Sequence, residues 1–313
     1  MLSRTADNLF WLSRYVERAE SLARILETTQ RLASLPTAYG GLTNEWESAV
    51  ATAGCKAEFL AKHEEANQDA VVNYLAFDRE NPSSILNCFE TARHNARSVR
   101  TALTMEMWEA INGAWLELRR MADRRLEGEE LTRFLGWVKE IGLRFDGSAH
   151  RTMLRNDIYD FSRMGMLLER ADNTARILDV KYHLLLPEQG EVGGGLDYYQ
   201  WSAILRAVSA ATSYHWVYRQ SLKPWLIADL LLLNDQMPRS LAACYAELVR
   251  HLDYLARAYG RQGEAQRIAR GSRVKLENAD IRDIFQSGLH EFITGFISEN
   301  SRLGSAIHEQ YLS

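Results

Sequence analysis

The chain has 313 residues, 46% hydrophobic and 25% charged, with only 5 prolines. This is the profile of a soluble globular protein with material for one large core or two ordinary ones. A formal net charge of −4 supplies no field for polyanions, so neither nucleic acid nor an acidic membrane surface is expected as a main partner.

From the N-terminus onward, the first twenty residues carry a charge every few positions and no apolar h-region, which argues against a signal peptide. No run of ~18 apolar residues occurs, so no membrane span is expected. Leu12, Tyr15, Val16, Ala19, Leu22, Ala23 and Leu26 recur at helical spacing and predict a long first helix. Helix breaks are expected at 34–45, 77–84, 127–130, 145–150, 186–197 and 234–240, and alternating strand-like stretches are absent. The fold class is therefore all-α, a bundle of long helices. Cys55, Cys88 and Cys244 form no CxxC and fit a reduced, cytoplasmic protein, with Cys88 and Cys244 as inert core residues.

The helices read as two tandem, diverged repeats, 1–150 and 151–313, forming one compact unit. "YVERAESLARILE" (15–27) returns as "LLERADNTARILD" (167–179), an offset of 152. Each is followed by Leu-Pro (Leu35-Pro36, Leu186-Pro187), a Gly-rich loop, and a Trp that opens a helix, Trp46 or Trp201. Then comes Pro-x-Ser, Pro82-Ser83-Ser84 or Pro238-Arg239-Ser240, with the Pro read as a first-turn helix start. Each such helix carries Cys-aromatic, Cys88-Phe89 or Cys244-Tyr245. Gly190 to Gly195 follows a helix rather than a strand and lacks the Lys-Ser/Thr ending, so it reads as a connector and not a phosphate cradle.

Candidate site residues lie on the repeated helices. Glu17, Glu20 and Arg24 stand at i, i+3, i+7 and share a face, with Arg14 and Arg18 on the adjacent stripe. Glu169, Arg170, Asp172 and Arg176 are the counterparts of Glu17, Arg18, Glu20 and Arg24, whereas Met166 stands where Arg14 would and Arg163 where Trp11 would. Two readings are open. One is an inter-helix salt-bridge network that fixes register. The other is an inward polar site, with Glu17 or Glu169 as acid or base and the arginines as anion clamps. A second dense stretch, 92–112, puts Arg93, Arg97 and Arg100 at i, i+4, i+7, followed by Glu106, Trp108, Glu109 and Asn112, and hints at an anionic ligand or a protein contact. Of the 37 basic residues 31 are Arg, Lys standing only at 56, 62, 139, 181, 223 and 275; the fork of Arg suits carboxylates and phosphates. Glu90/His94 and Glu247/His251 stand at i, i+4 but lack the Glu-x-x-His of di-iron bundles, so no metal and no cofactor are expected.

"ADNLFWLSRYVERAESLARILE", "ARHNARSVRTALTMEMWEAIN", "MGMLLERADNTARILD" and "NDQMPRSL", in that order, resemble the bacterial alpha-E domain family, an all-helical domain named for its Glu-Arg motif. The resemblance runs from the first helix to the terminal "AIHEQYLS". It implies partnership with circularly permuted ATP-grasp proteins, encoded beside or fused to it, often with transglutaminase-like peptidases, in systems that make or process amide-linked, peptide-like products. This chain carries no nucleotide-binding motif, so on that reading it is an accessory subunit and the phosphoryl chemistry belongs to the partner. The alternatives are an amide-bond transferase using the Glu-Arg motif itself, or a purely structural interaction protein.

Overall fold

The computed structural model describes residues 3–34, 44–121, 126–184 and 195–313. Connector residues 190–194 and the Leu-Pro steps at 35–36 and 186–187 lie outside them. In chain order the helices are α1 (Ser3–Ala33), α2 (Glu45–Thr52), α3 (Lys56–Leu60), α4 (Gln68–Ala76), α5 (Ile85–Ser98), α6 (Met105–Met121), α7 (Gly128–Thr152), α8 (Asp157–Leu184), α9 (Gly195–Ala207), α10 (Ala211–Tyr218), α11 (Pro224–Leu232), α12 (Leu241–Tyr259), α13 (Glu264–Glu277), α14 (Ile281–Ser287) and α15 (Leu289–Ile307). A single π-helical turn, His308–Leu312, closes the chain. The described residues contain no strand, so the fold is all-α.

α1 is buried over most of its surface: Leu9, Phe10, Leu12, Val16, Ala19, Leu22, Ala23 and Leu26 are all in the core, and so are Glu17, Glu20 and Arg24. A helix covered around most of its circumference, with Trp11, Arg14, Tyr15 and Arg18 half-buried, lies at the centre of a bundle. It packs against α8, α5, α7, α9 and α2. The packing order along the chain recurs: α1 touches α5 and α7 as α8 touches α12 and α15, α5 touches α6 as α12 touches α13, and α6 touches α7 as α13 touches α15. α2 leans on α8 while α9 leans on α1. No described helix is long and apolar enough to cross a membrane.

α1 and α8 meet at close range. A Cβ placed on Gly165 would stand 2.1 Å from the Phe10 carbonyl oxygen, so only glycine lets the backbones approach there. Beside it the Ser13 and Ser162 hydroxyls share a hydrogen bond of 2.7 Å. Both contacts pair one helix's position with the other's in the crosswise sense, 10 with 165 and 13 with 162.

Three expectations are corrected. The break expected at 145–150 is interior to α7, because Phe145 and Ala149 bury on its core side while Gly147 faces open space. The chain turns instead at 153–156, where the Asn156 side chain accepts from the Ile158 amide at 3.2 Å; the expected boundary at 150/151 thus falls in the last turn of α7. The helices after the Pro-x-Ser turns start at serine rather than proline. Ser84 and Ser240 are the N-caps, accepting from the amides of Asn87 at 3.2 Å and Ala243 at 3.0 Å, and each proline lies two residues earlier. Trp201 sits inside α9 rather than opening it, whereas Trp46 is the second residue of α2.

Gly165→Ala is expected to lower stability by about 2–3 kcal/mol through overpacking at the helix crossing. Gly113→Ala, in α6 with nothing within 4 Å of the new methyl, should raise it by roughly 0.5–1 kcal/mol. Paired urea denaturation curves measure both.

Candidate functional site

At the α1–α8 crossing the two Glu-Arg pairs engage one another. The Glu17 carboxylate accepts from Arg170 Nε at 3.1 Å and Nη2 at 2.8 Å. The Glu169 carboxylate accepts from Arg18 Nε at 2.6 Å and Nη2 at 3.1 Å. Each guanidinium therefore grips the opposite helix's glutamate with a two-pronged fork, the strongest form of charged hydrogen bond. The reciprocity, residue i on j and j's equivalent on i's equivalent, is that of an isologous contact.

Each glutamate also holds a second arginine, drawn from a different place. Glu169 takes Arg14 Nε at 2.8 Å. Glu17 takes Nη1 of Arg239, in the turn before α12, at 2.8 Å, and the same Arg239 reaches Glu20 through Nη2 at 2.5 Å. Glu20 is paired as well with Arg24, whose Nη1 donates onward to the Ala207 carbonyl at 3.0 Å and the Ser209 hydroxyl at 2.8 Å. Asp172 and Arg176 form an ion pair of 2.6 Å farther along α8, more exposed than the rest. Arg18 further donates to Ser83 Oγ at 3.3 Å, the position matching Arg239 in the first Pro-x-Ser turn.

Glu17, Glu20 and Glu169 are each 3% exposed. Burial pushes the Glu17 carboxyl up, but Arg170 and Arg239 together outweigh it and hold it at about 2. Burial likewise opposes ionisation of Glu169, and Arg18 with Arg14 bring it down to about 2. Glu169 in turn raises Arg18, against the desolvation of the guanidinium. The Cys88 and Cys244 thiols beside the network are pushed up to about 12, by burial above all, and stay neutral. The space between α1, α7 and α8, lined by Glu17, Glu20, Asp146 and Arg163, amounts to about 10 Å³, room for one water at most. Chemically the arrangement is an ionic lock: both oxygens of both carboxylates accept from arginine, and the small space beside Glu17 and Glu20 is all that the described residues leave there.

The other predicted residues lie elsewhere. Arg93 and Arg97 are on α5, but the helix ends at Ser98, so Arg100 sits in the following turn and the stripe is interrupted. Arg93 Nε donates to Asn112 Oδ1 at 2.9 Å, and the Arg100 guanidinium lies 5.3 Å from the Trp108 ring. Glu106 and Glu109 are exposed on α6. Among the described residues no group of three or more His, Cys, Asp or Glu is placed to hold a metal. Glu90 pairs with Arg79 at 3.6 Å, and buried His251 bonds Asp160 at 2.7 Å.

Arg239 was missed at the sequence level, although its turn stood out, because nothing local tells which turn lies over α1. An exposed aromatic set also escaped notice: Tyr198, Tyr199, Trp216 and Trp225 on α9, α10 and α11, with Lys223 set against the Trp225 ring at 5.3 Å. No Asp or Glu occurs between 198 and 228, a signal that composition by segment would have given.

A model of the Alpha-E family, described as a predicted alpha-helical domain with a conserved ER motif, matches residues 1–312. The chain belongs to the Alpha-E family. Its two Glu-Arg dipeptides, at 17–18 and 169–170, supply the reciprocal ion pairs between α1 and α8 in this Alpha-E chain. Comparison with curated proteins and with solved structures finds no match among either.

Glu169→Gln leaves Arg14 and Arg18 without their buried counter-charge and should cost about 3–5 kcal/mol of stability by urea denaturation. Acid denaturation reports the same lock. Because Glu17 and Glu169 are depressed from 4.5 to about 2 in the folded state, their stabilisation is complete above pH 4.5 and is lost as pH falls from there toward 2. The loss should be on the order of 3 kcal/mol per carboxylate, and a stability flat between pH 5 and pH 2.5 would speak against the lock.

Proposed function

We propose that this Alpha-E chain is a cytoplasmic, non-catalytic accessory subunit of an ATP-grasp amide-ligase system that makes or processes a peptide-like product. The observation that carries the reading is that arginines hold both oxygens of Glu17 and of Glu169. A base must reach a substrate and titrate near the working pH, whereas Glu17 and Glu169 are buried, held by two arginines each and depressed to about 2. The motif then serves the scaffold, and the molecule's unspent chemistry is on its surface. The exposed Tyr198, Tyr199, Trp216 and Trp225 are of the residue types that dominate protein interfaces. The partner, a circularly permuted ATP-grasp protein, comes from the family resemblance, as does the association with transglutaminase-like peptidases.

Reconstitution tests this. The chain should co-purify with an ATP-grasp protein encoded beside it and raise amide formation, read by mass spectrometry, severalfold. Trp216→Ala combined with Trp225→Ala should weaken that complex about tenfold or more without changing the melting temperature. Absence of both binding and stimulation would remove the accessory reading, and amide formation by the chain alone would favour a transferase.

A further inference from the structure

Helix α10 is left largely uncovered by the fold. Of its residues only Tyr214 is buried, while Trp216 stands 72% exposed beside exposed Val217. The helix and the turn after it are nevertheless braced. The Tyr214 hydroxyl donates to the Ser221 carbonyl at 2.8 Å and accepts from the Lys223 amide at 3.1 Å. Tyr218 donates its hydroxyl to Asp229 on α11. Arg219 ends α10 in the left-handed region, its amide bonded to the His215 carbonyl at 3.1 Å. Lys223 precedes Pro224, the first residue of α11, and lies 5.3 Å from the ring of exposed Trp225. Indoles held in water on a braced hairpin are ordered in advance of any contact, so little further entropy is lost when a partner covers them.

The charges carried by this segment are of one sign. Residues 198–228 hold Arg206, Arg219 and Lys223 and no Asp or Glu, and Asp229, next along α11, is engaged by Tyr218. Since the whole chain carries −4, the remainder of the molecule is net acidic. α14 packs on α11 and brings Asp280, Arg282 and Asp283, of which Asp280 is turned onto the Arg282 amide as the helix cap. This pattern discriminates between occupants. A second copy using the same face would set cation against cation. Three cations are few for an anionic membrane or a nucleic acid, and the acidic remainder opposes both. A protein surface with apolar pockets for the indoles and carboxylates around them meets both features. We infer that α10, the turn 219–223 and the start of α11 form the docking site for an acidic protein surface, with Trp216 and Trp225 as its apolar anchors and Arg219 and Lys223 as its charged rim. The inference rests on the accessory reading and specifies the chemistry of the surface that the partner presents.

The test is the binding kinetics of the purified full chain with the ATP-grasp protein encoded beside it, measured by surface plasmon resonance from about 20 mM to about 500 mM salt. The association rate should fall at least about tenfold across that range. At low salt Arg219→Glu plus Lys223→Glu should lower it about tenfold or more, and Arg219→Gln plus Lys223→Gln by less, with wild-type melting temperature in the milder pair. Trp216→Ala should act instead on the dissociation rate. Binding that responds neither to salt nor to either pair of substitutions would overturn the acidic docking site while leaving the accessory role in place. Failure of the wild-type chain to bind at all would remove both. Self-association of the chain, or its sedimentation with phosphatidylserine vesicles, that is abolished by the charge-reversed pair would assign the face to a second copy or to a membrane and overturn the inference.

Discussion

The bundle is organised around two carboxylates that cannot reach water. Glu17 and Glu169 lie inside the crossing of α1 and α8, the two longest helices with side chains facing one another, and each is answered by the arginine that follows the other's glutamate. Desolvating such groups costs several kcal/mol apiece and is offset only by good geometry and full hydrogen bonding. That requirement dictates the rest: α1 must be covered around most of its circumference, α8 must carry glycine where the backbones touch at Phe10, and a turn from each half must come down over the crossing. Ser83 and Arg239 are those turn residues, the first bonding Arg18, the second bonding Glu17 and Glu20. A one-turn slip of α8 on α1 would strand four buried charges, so the network specifies register as much as it stabilises.

The all-α class and the central helices were legible because their apolar spacing is long and regular. Short helices such as α3, α10 and α14 were not, since five to eight residues hold too little periodicity to read. The error at 145–150 arose from reading Gly147 and Ser148 as a break. Gly147 faces open space, where a helical glycine costs only about 1 kcal/mol, and Phe145 with Ala149 keeps α7 in place. The polar seam itself was foreseeable as one of two readings, since one pattern written twice at the same offsets invites mutual pairing. Its completion was not. Met166 stands where the counterpart of Arg14 would, yet Glu17 gains its second guanidinium from Arg239, 222 residues distant in sequence. Long-range substitution of one arginine for another leaves no local trace.

Family membership and geometry meet at the Glu-Arg dipeptides. The motif by which Alpha-E chains are described is, in this protein, the cross-link between its two central helices. A motif that serves the architecture shifts the search for activity outward, to the surface. The aromatic face of α9–α11, with Tyr198, Tyr199, Trp216 and Trp225 exposed, is of the composition that dominates protein interfaces.

A double-mutant cycle across the crossing tests the central claim most directly. Glu17→Gln, Arg170→Met and the double variant, compared by urea denaturation at neutral pH, should give a coupling energy of about 2–3 kcal/mol, with the double variant less unstable than the sum of the singles. Additive effects, with coupling near zero, would contradict the account and return Glu17 to the list of groups kept for chemistry.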